Sequence, residues 1–530
     1  MIILTTLAVL VVTWMTLIIY QTYYRKGVDD VIRGVDGMYL GLDSKTNVMV
    51  INGVFFLETR MELSVLKEHY RSKVFSNRAY RRFLQVPTQC FDTTQGNAAF
   101  YLNIKNWIRI PFFLPEWKYV KNFNMDDHFT EINSVYEFLQ EHKKWIPENV
   151  KEQFSEKTVK ENEDFYLKQI LSHLSTKRLD KTKPLWYNYL IHRADGTSIF
   201  FTRIHHSLSD GIGLVNYTLK TCEPVNKKPD GHKIQRNRTP RPVSTKKKIA
   251  RILQNIFFTI AALLYLPLAI AKFYLRPSDS ENFLNHAEHL SKHKKVDWLQ
   301  PTFSLEEVKA VAHKHNATVN DILVTVASLA LEKYAEYKKK KSNSIQLVPK
   351  VKAFVPVGNL FSSHRSDNLE NHFGFIYLPF PLFEKNPMKI LNYVKSTMDW
   401  LKRFPIDMIL SYYLTKLSGD FAPPVALKLA SEFFARKCSL VFTNVKGPSE
   451  PIQMAGVPIK DICFFVPQAG GRLVTGLSIF SYVNSVSVGV CSHPEIISEP
   501  EVFLQYCKDS YKQLEEKTFN TPPEETKTCK

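Results

Sequence analysis

Cysteine is sparse and unpaired: seven residues, at 90, 222, 438, 463, 491, 507 and 529, stand singly with no CxxC pair. An odd, dispersed set builds no disulfide framework and suits a reducing compartment. The chain has no zinc-ligand spacing, no RNA-recognition signature, no homeodomain-like helix and no internal repeat, which argues against nucleic acid as a partner. Acidic residues are in deficit, 51 against 70 Lys and Arg, leaving a formal charge of +19. That charge calls for an anionic partner, and lipid headgroups would use it. The N-terminus lacks the basic n-region and small-residue cleavage site of a secretory signal.

What it has instead is an uncharged apolar run from Ile2 to Tyr20, long enough to cross a hydrocarbon core. Tyr23, Tyr24, Arg25 and Lys26 follow as aromatic and cationic interface markers. A transmembrane anchor over residues 1–24 is therefore expected, with the body in the cytosol by the positive-inside rule. A second uncharged run spans Ile252 to Ala271. Before it, from Lys227 to Arg251, ten Lys or Arg stand against a single acid, Asp230. This stretch reads as a solvated linker that also touches anionic headgroups. If one site lies between the two halves of the chain, a single crossing at 252–271 would part them, so this run is expected to dip into the bilayer or lie along it, broken at Pro267.

At 530 residues with 44% hydrophobic composition, the chain suits two large halves rather than one domain. They read as residues 34–222 and 296–508, joined by a basic, membrane-associated linker over 223–295. A polar, disordered tail is expected over 509–530. Ser304-Leu-Glu-Glu307 forms a capping box. Thr318-Val-Asn-Asp321 caps a helix running to about Tyr337. Leu473 to Cys491 reads as two strands joined near Asn484.

The chemistry concentrates at His205-His-Ser-Leu-Ser-Asp-Gly211. The β-branched and aromatic run Ser198–Ile204 makes a strand that ends there, and Ile212 to Leu219 reads as a helix. Successive strand side chains face opposite ways, so only one of His205 and His206 can face a given pocket. Asp210 can fold back to hold an arginine or fix an imidazole. The motif resembles the signature of acyl-CoA-dependent transferases with the chloramphenicol-acetyltransferase-like fold, a group that includes condensation domains of peptide synthetases.

Further stretches narrow the resemblance. Pro184-Leu185-Trp186, Asn320-Asp321 at a helix start, and Thr443-Asn444-Val-Lys-Gly447-Pro448 are similar to motifs of the wax ester synthase/diacylglycerol acyltransferase family. Val35-Asp-Gly-Met-Tyr-Leu40 is similar to its opening segment. The likeness runs in order from about residue 34 to about 508, with two departures: Tyr187 where an acid is usual after the Trp, and Lys446 for the first Pro of the C-terminal run. For Asn320 and Asp321 a helix-capping role stands beside contact with the reacting centre.

The resemblance implies an α/β fold of two sandwich halves with a channel between them. It also implies an acyl-CoA-dependent O-acyltransferase making wax esters or triacylglycerol from a long-chain alcohol or diacylglycerol. His206 would be the general base, since a neutral imidazole takes the proton of the attacking hydroxyl. His205 would support it, Asp210 would hold an architectural ion pair, and Gly211 would permit the turn. No metal or cofactor is implied, acyl-CoA being a co-substrate whose phosphates also suit the charge. The endoplasmic reticulum is the expected site, with the plasma membrane as the alternative. Other functions stay open: a condensation-type or other CoA-dependent transferase of this fold, a non-catalytic lipid-binding scaffold, or a secreted protein glycosylated at Asn216, Asn237 and Asn316.

Overall fold

Strand-forming runs of Val, Ile, Phe and Tyr pair into two large sheets in the computed structural model. It describes residues 32–87, 116–225, 253–358 and 368–520, less short gaps at 33, 45–46, within 255–274, and at 286–289, 343–345, 383, 422–423 and 469–472. The anchor expected over residues 1–24 and the basic loop up to 252 lie outside the described residues. Among those described, no helix is long and apolar enough to cross a membrane.

The strands of these two sheets are β1 (Val50–Leu57), β2 (Phe129–Ile132), β3 (Trp186–His192), β4 (Ser198–His205), β5 (Glu223–Pro224), β6 (Lys295–Ser304) and β7 (Lys350–Gly358). They continue with β8 (Phe373–Pro381), β9 (Leu440–Lys446), β10 (Ile452–Met454), β11 (Val457–Phe465), β12 (Thr475–Tyr482) and β13 (Ser485–Ser492). One sheet has seven strands in the order β2-β3-β4-β1-β11-β10-β5, the other six in the order β8-β7-β9-β12-β13-β6. The linear halves do not map one to one onto the sheets. β10 and β11 come from the second half yet join the first sheet, where Gly53 of β1 sits opposite Phe464.

The main helices are α1 (Gly34–Leu42), α2 (Glu163–Thr176), α3 (Gly211–Thr221), α4 (Leu305–Lys314), α5 (Val319–Lys341), α6 (Pro387–Arg403), α7 (Ile406–Phe421), α8 (Pro424–Ala435) and α9 (Pro500–Phe519). Ser304 Oγ accepts from Glu307 N–H to cap α4, and Thr318 and Asp321 form a reciprocal capping box on α5. The second sheet packs on α5, α6 and α9 through Ile322, Leu391, Leu440 and Phe503, all fully buried. Residues 509–519 are not a tail: α9 runs on to Phe519, burying Tyr511 and Leu514 against the same core. Phe503, Leu504, Cys507, Tyr511 and Leu514 recur on one helical face, so burial outweighs the local polarity. At the other end of the chain, α1 lies against α7 and α8, so the first described helix docks on the C-terminal half.

Candidate active site

β4 ends at His205, and the chain turns at once. The two histidines diverge as strand alternation requires. His205 is buried at 1% exposure, its Nδ1 accepting from the Ser207 N–H at 3.1 Å and facing Ser207 Oγ at 2.8 Å. Burial pulls its imidazole down to about 4, so it is neutral at physiological pH. His205 supports the turn.

His206 points the other way, into a cavity of 420 Å³ between the two sheets. Tyr39 of α1 stacks on its ring with centroids 3.9 Å apart. His206 Nδ1 lies 3.1 Å from Asn371 Oδ1. The Asn371 amide nitrogen donates to Asp36 Oδ1 at 2.8 Å and to the His206 carbonyl at 2.7 Å. Those two acceptors fix the amide's orientation, so its oxygen faces the imidazole and must receive an N–H. The proton therefore sits on Nδ1, and Nε2 keeps its lone pair. Burial lowers the His206 pKa, with the nearby Asp210 charge and the Asn371 bond acting upward. An unprotonated Nε2 facing a cavity can accept a proton.

Arg82 braces this arrangement from behind. It pairs with Asp36 at 2.9 Å and donates to the Leu208 carbonyl at 3.0 Å, inside the His turn. Burial raises the Asp36 carboxyl, against the pull of Arg82 and of the Asn371 amide. The chain Arg82–Asp36–Asn371–His206 ties α1, the turn and the segment entering β8 into one unit.

Asp210 holds backbone groups on both sides of the turn. It is the N-cap of α3: Oδ1 accepts from the Gly213 N–H at 2.8 Å, and Oδ2 from the His372 N–H at 3.0 Å. It thus joins the turn to the second half through backbone groups, while Arg82, which braces the turn, pairs with Asp36. Gly211, expected to permit the turn, is an ordinary helical residue where an added methyl would lie 3.7 Å from Val445. The tighter position is Gly213, in the first turn of α3, where a Cβ would fall 2.1 Å from Ser209 Oγ and that side chain would have to move.

The remaining motif residues divide between cavity and scaffold. Asn444, at the end of β9, lines the cavity and donates to Asn320 Oδ1 at 3.1 Å, linking β9 to the start of α5. Asp321 caps α5, the structural reading of that pair. Pro184, Leu185 and Trp186 build the core rather than the pocket. The Leu185 carbonyl accepts the His205 N–H, and Trp186 stacks on His128 while donating to the Phe83 carbonyl at 2.8 Å. Gly447 allows close approach, since a methyl there would meet the Ser481 carbonyl at 2.4 Å. Pro448 accepts the Val483 N–H. Among the described residues, no group of three or more His, Cys, Asp or Glu is placed to hold a metal ion.

Sequence reading missed Asn371 and Arg82 altogether. Asp36 and Tyr39 lay within the opening segment, but nothing in their spacing marked them.

The wax ester synthase/diacylglycerol acyltransferase catalytic-domain family model matches residues 163–323, and the WS/DGAT C-terminal domain model matches 369–515. The chain belongs to the wax ester synthase/diacylglycerol acyltransferase family. It is an O-acyltransferase, of a family that uses acyl-CoA with alcohol or acylglycerol acceptors. Wax ester synthase/diacylglycerol acyltransferase 11 of Arabidopsis thaliana is 27% identical over 390 residues, 67% of this chain and 77% of that one. Its relative numbered 5 is 25% identical over 392 residues, 67% of this chain and 75% of that one. The fold resembles the wax ester synthase/diacylglycerol acyltransferase from Marinobacter aquaeolei VT8, with a TM-score of 0.57 at 16% identity, over 91% of this chain and 98% of that one. It also resembles the first condensation domain of the calcium-dependent antibiotic synthetase, with a TM-score of 0.53 at 10% identity, over 93% and 97% of the two chains.

Proposed function

We propose that this protein joins a long-chain acyl group from acyl-CoA to a long-chain alcohol or a diacylglycerol in one direct transfer. His206 Nε2 takes the acceptor's hydroxyl proton as its oxygen attacks the thioester carbonyl. The tetrahedral intermediate then expels coenzyme A as a thiolate, and the imidazolium returns the proton to it. The products are an ester and free CoA thiol. The observation that carries this reading is His206 facing the cavity with Nδ1 engaged by Asn371, which leaves Nε2 as the base. The cavity is lined by Met38, Leu42, Phe375, Leu414, Leu427 and Phe434 among others, in keeping with apolar substrates.

The body rests against a membrane in this reading. Phe257, Leu264 and Leu268, from the apolar run at 252–271, are 66%, 79% and 61% exposed. Phe258 and Tyr265 from the same run pack on Ile409 and Leu410 of α7, whose Ser411 and Leu414 line the cavity. A bilayer there would cover the exposed face and lie beside the cavity wall. The test of function is incubation with labelled palmitoyl-CoA and a panel of fatty alcohols, diacylglycerol and sterol, resolved by lipid chromatography. Labelled wax ester or triacylglycerol is expected, and no ester with any acceptor would overturn the reading.

A further inference from the structure

α3 carries Ile212, Leu214, Val215, Tyr217 and Leu219, yet Thr221 is its one fully buried residue. A helix lying on a sheet ordinarily buries its apolar stripe. The sheet beneath explains the difference. On the face that α3 covers, bulky rows run across the strands: Ile51, Ile204 and Trp186 at one level, Phe55, Phe200 and Leu190 at another. Between them the row is Gly53, Thr202 and Asn188. This missing bulk leaves a chamber of 80 Å³ under the helix, walled by Leu214, Val215, Thr218, Phe200 and Phe464. Packed interiors hold few voids larger than a water, and an apolar cavity stays dry and accepts apolar guests.

The chamber adjoins the candidate site. Ile51, Gly211, Val445 and Phe464 line both it and the His206 cavity. Gly211, which the turn does not need, presents no side chain where the two meet. From Phe464 on β11 the chamber runs across β1 and β4 toward Tyr70, which stacks on Trp186 of β3. Two inter-strand steps, from β11 across β1 to β4, make that span about 10 Å.

We infer that this chamber seats the distal methylene chain of a long-chain substrate, whose reacting end lies at His206 and whose tail passes Gly211 to lie beneath α3. The inference rests on the acyl-transfer reading and adds a length-selecting subsite to it. The tail belongs either to the fatty acyl thioester or to the alcohol, and the test separates the two.

Thr218→Phe fills the chamber from α3, and Thr218→Val keeps its size. Each is assayed with octanoyl- to stearoyl-CoA against hexadecanol, and with octanol to octadecanol against palmitoyl-CoA. Thr218→Phe is expected to lower kcat/KM for the long members of one series by about ten-fold or more while sparing the short ones; Thr218→Val should leave the profile unchanged. The affected series names the tail. An equal effect at every length, or none in a folded variant, would overturn the inference. Photolabelling the wild type with palmitoyl-CoA or hexadecanol carrying a terminal diazirine reads the chamber without any variant or turnover. Label on Tyr70, Met454 or Thr218 is expected from one probe. Label confined to α7 and α8 from both would overturn the inference even if esters form. Absence of ester from the wild type with every substrate pair would instead count against the acyl-transfer reading.

Discussion

Replacing Asn371 by Leu removes the side-chain acceptor that faces His206 Nδ1 and favours a proton on that nitrogen. Three bonds go together: the acceptor for Nδ1–H, and the donors to Asp36 and to the His206 carbonyl. The bond to Asp36 involves a buried carboxylate, for which about 1.5–3 kcal/mol is typical, and the neutral bonds add about 1 kcal/mol each. A loss of about 3–5 kcal/mol in unfolding free energy follows, read by urea denaturation. Activity should fall further than stability explains. With that acceptor gone, Nε2 carries a proton more of the time, and general-base assistance is worth about 10²–10⁴-fold. The pH profile adds a signature that a merely structural role would not give. The Asn371 bond raises the His206 pKa, so its removal should move the acidic limb of kcat to lower pH. A folded Asn371→Leu protein with unchanged kcat and an unmoved acidic limb would refute the orienting role.

Other consequences are open to the same kinds of assay. Asp210→Asn can satisfy only one of the Gly213 and His372 N–H groups, so stability should drop by about 1–3 kcal/mol with activity falling alongside; unchanged stability with no activity would mean Asp210 takes part in the chemistry. His205 titrates near 4 in the fold against 6.5 for an unperturbed imidazole. The unfolded chain therefore binds more protons between those values. The contribution is whole above pH 6.5 and drains as pH falls toward 4, by about 3 kcal/mol, which urea titrations across that range would show and a His205→Gln variant would flatten. Gly447→Ala places a methyl against the Ser481 carbonyl and the Phe480 ring, and should cost at least about 1–3 kcal/mol in unfolding free energy. Phe257→Asp with Leu264→Asp should reduce sedimentation with anionic vesicles without changing the unfolding midpoint; undiminished binding would remove this face from the membrane contact.

The strand before His205, the divergence of the two histidines and the helix after Gly211 were legible because each rests on local periodicity. The helix-cap role of Asp321 was legible for the same reason. Asn371 was not: it meets Asp36 across 335 residues, and only closure of α1 onto the C-terminal half brings them together. The role of Gly211 was misread because helical φ and a tight turn look alike in an Asp-Gly pair, whereas the close approach at Gly213 depends on where Ser209 lies. The crossing of β11 into the first sheet leaves no trace in its alternation, since either sheet would satisfy it. The continuation of α9 past residue 509 was visible in the spacing of Cys507, Tyr511 and Leu514, but the surrounding Lys and Glu obscured it. The chamber under α3 depends on three residues of three different strands standing in register, which no linear pattern displays.

The most direct measurement compares initial rates of palmitoyl transfer from palmitoyl-CoA to hexadecanol by wild type, His206→Ala and His205→Ala, each checked for folding by its unfolding midpoint. Loss of about 10²–10⁴-fold in His206→Ala with an unchanged midpoint, and a smaller loss tracking reduced stability in His205→Ala, is the expected result. A folded His206→Ala enzyme working at the wild-type rate, or an inactive His205→Ala beside an active His206→Ala, would contradict the assignment of His206 as the base.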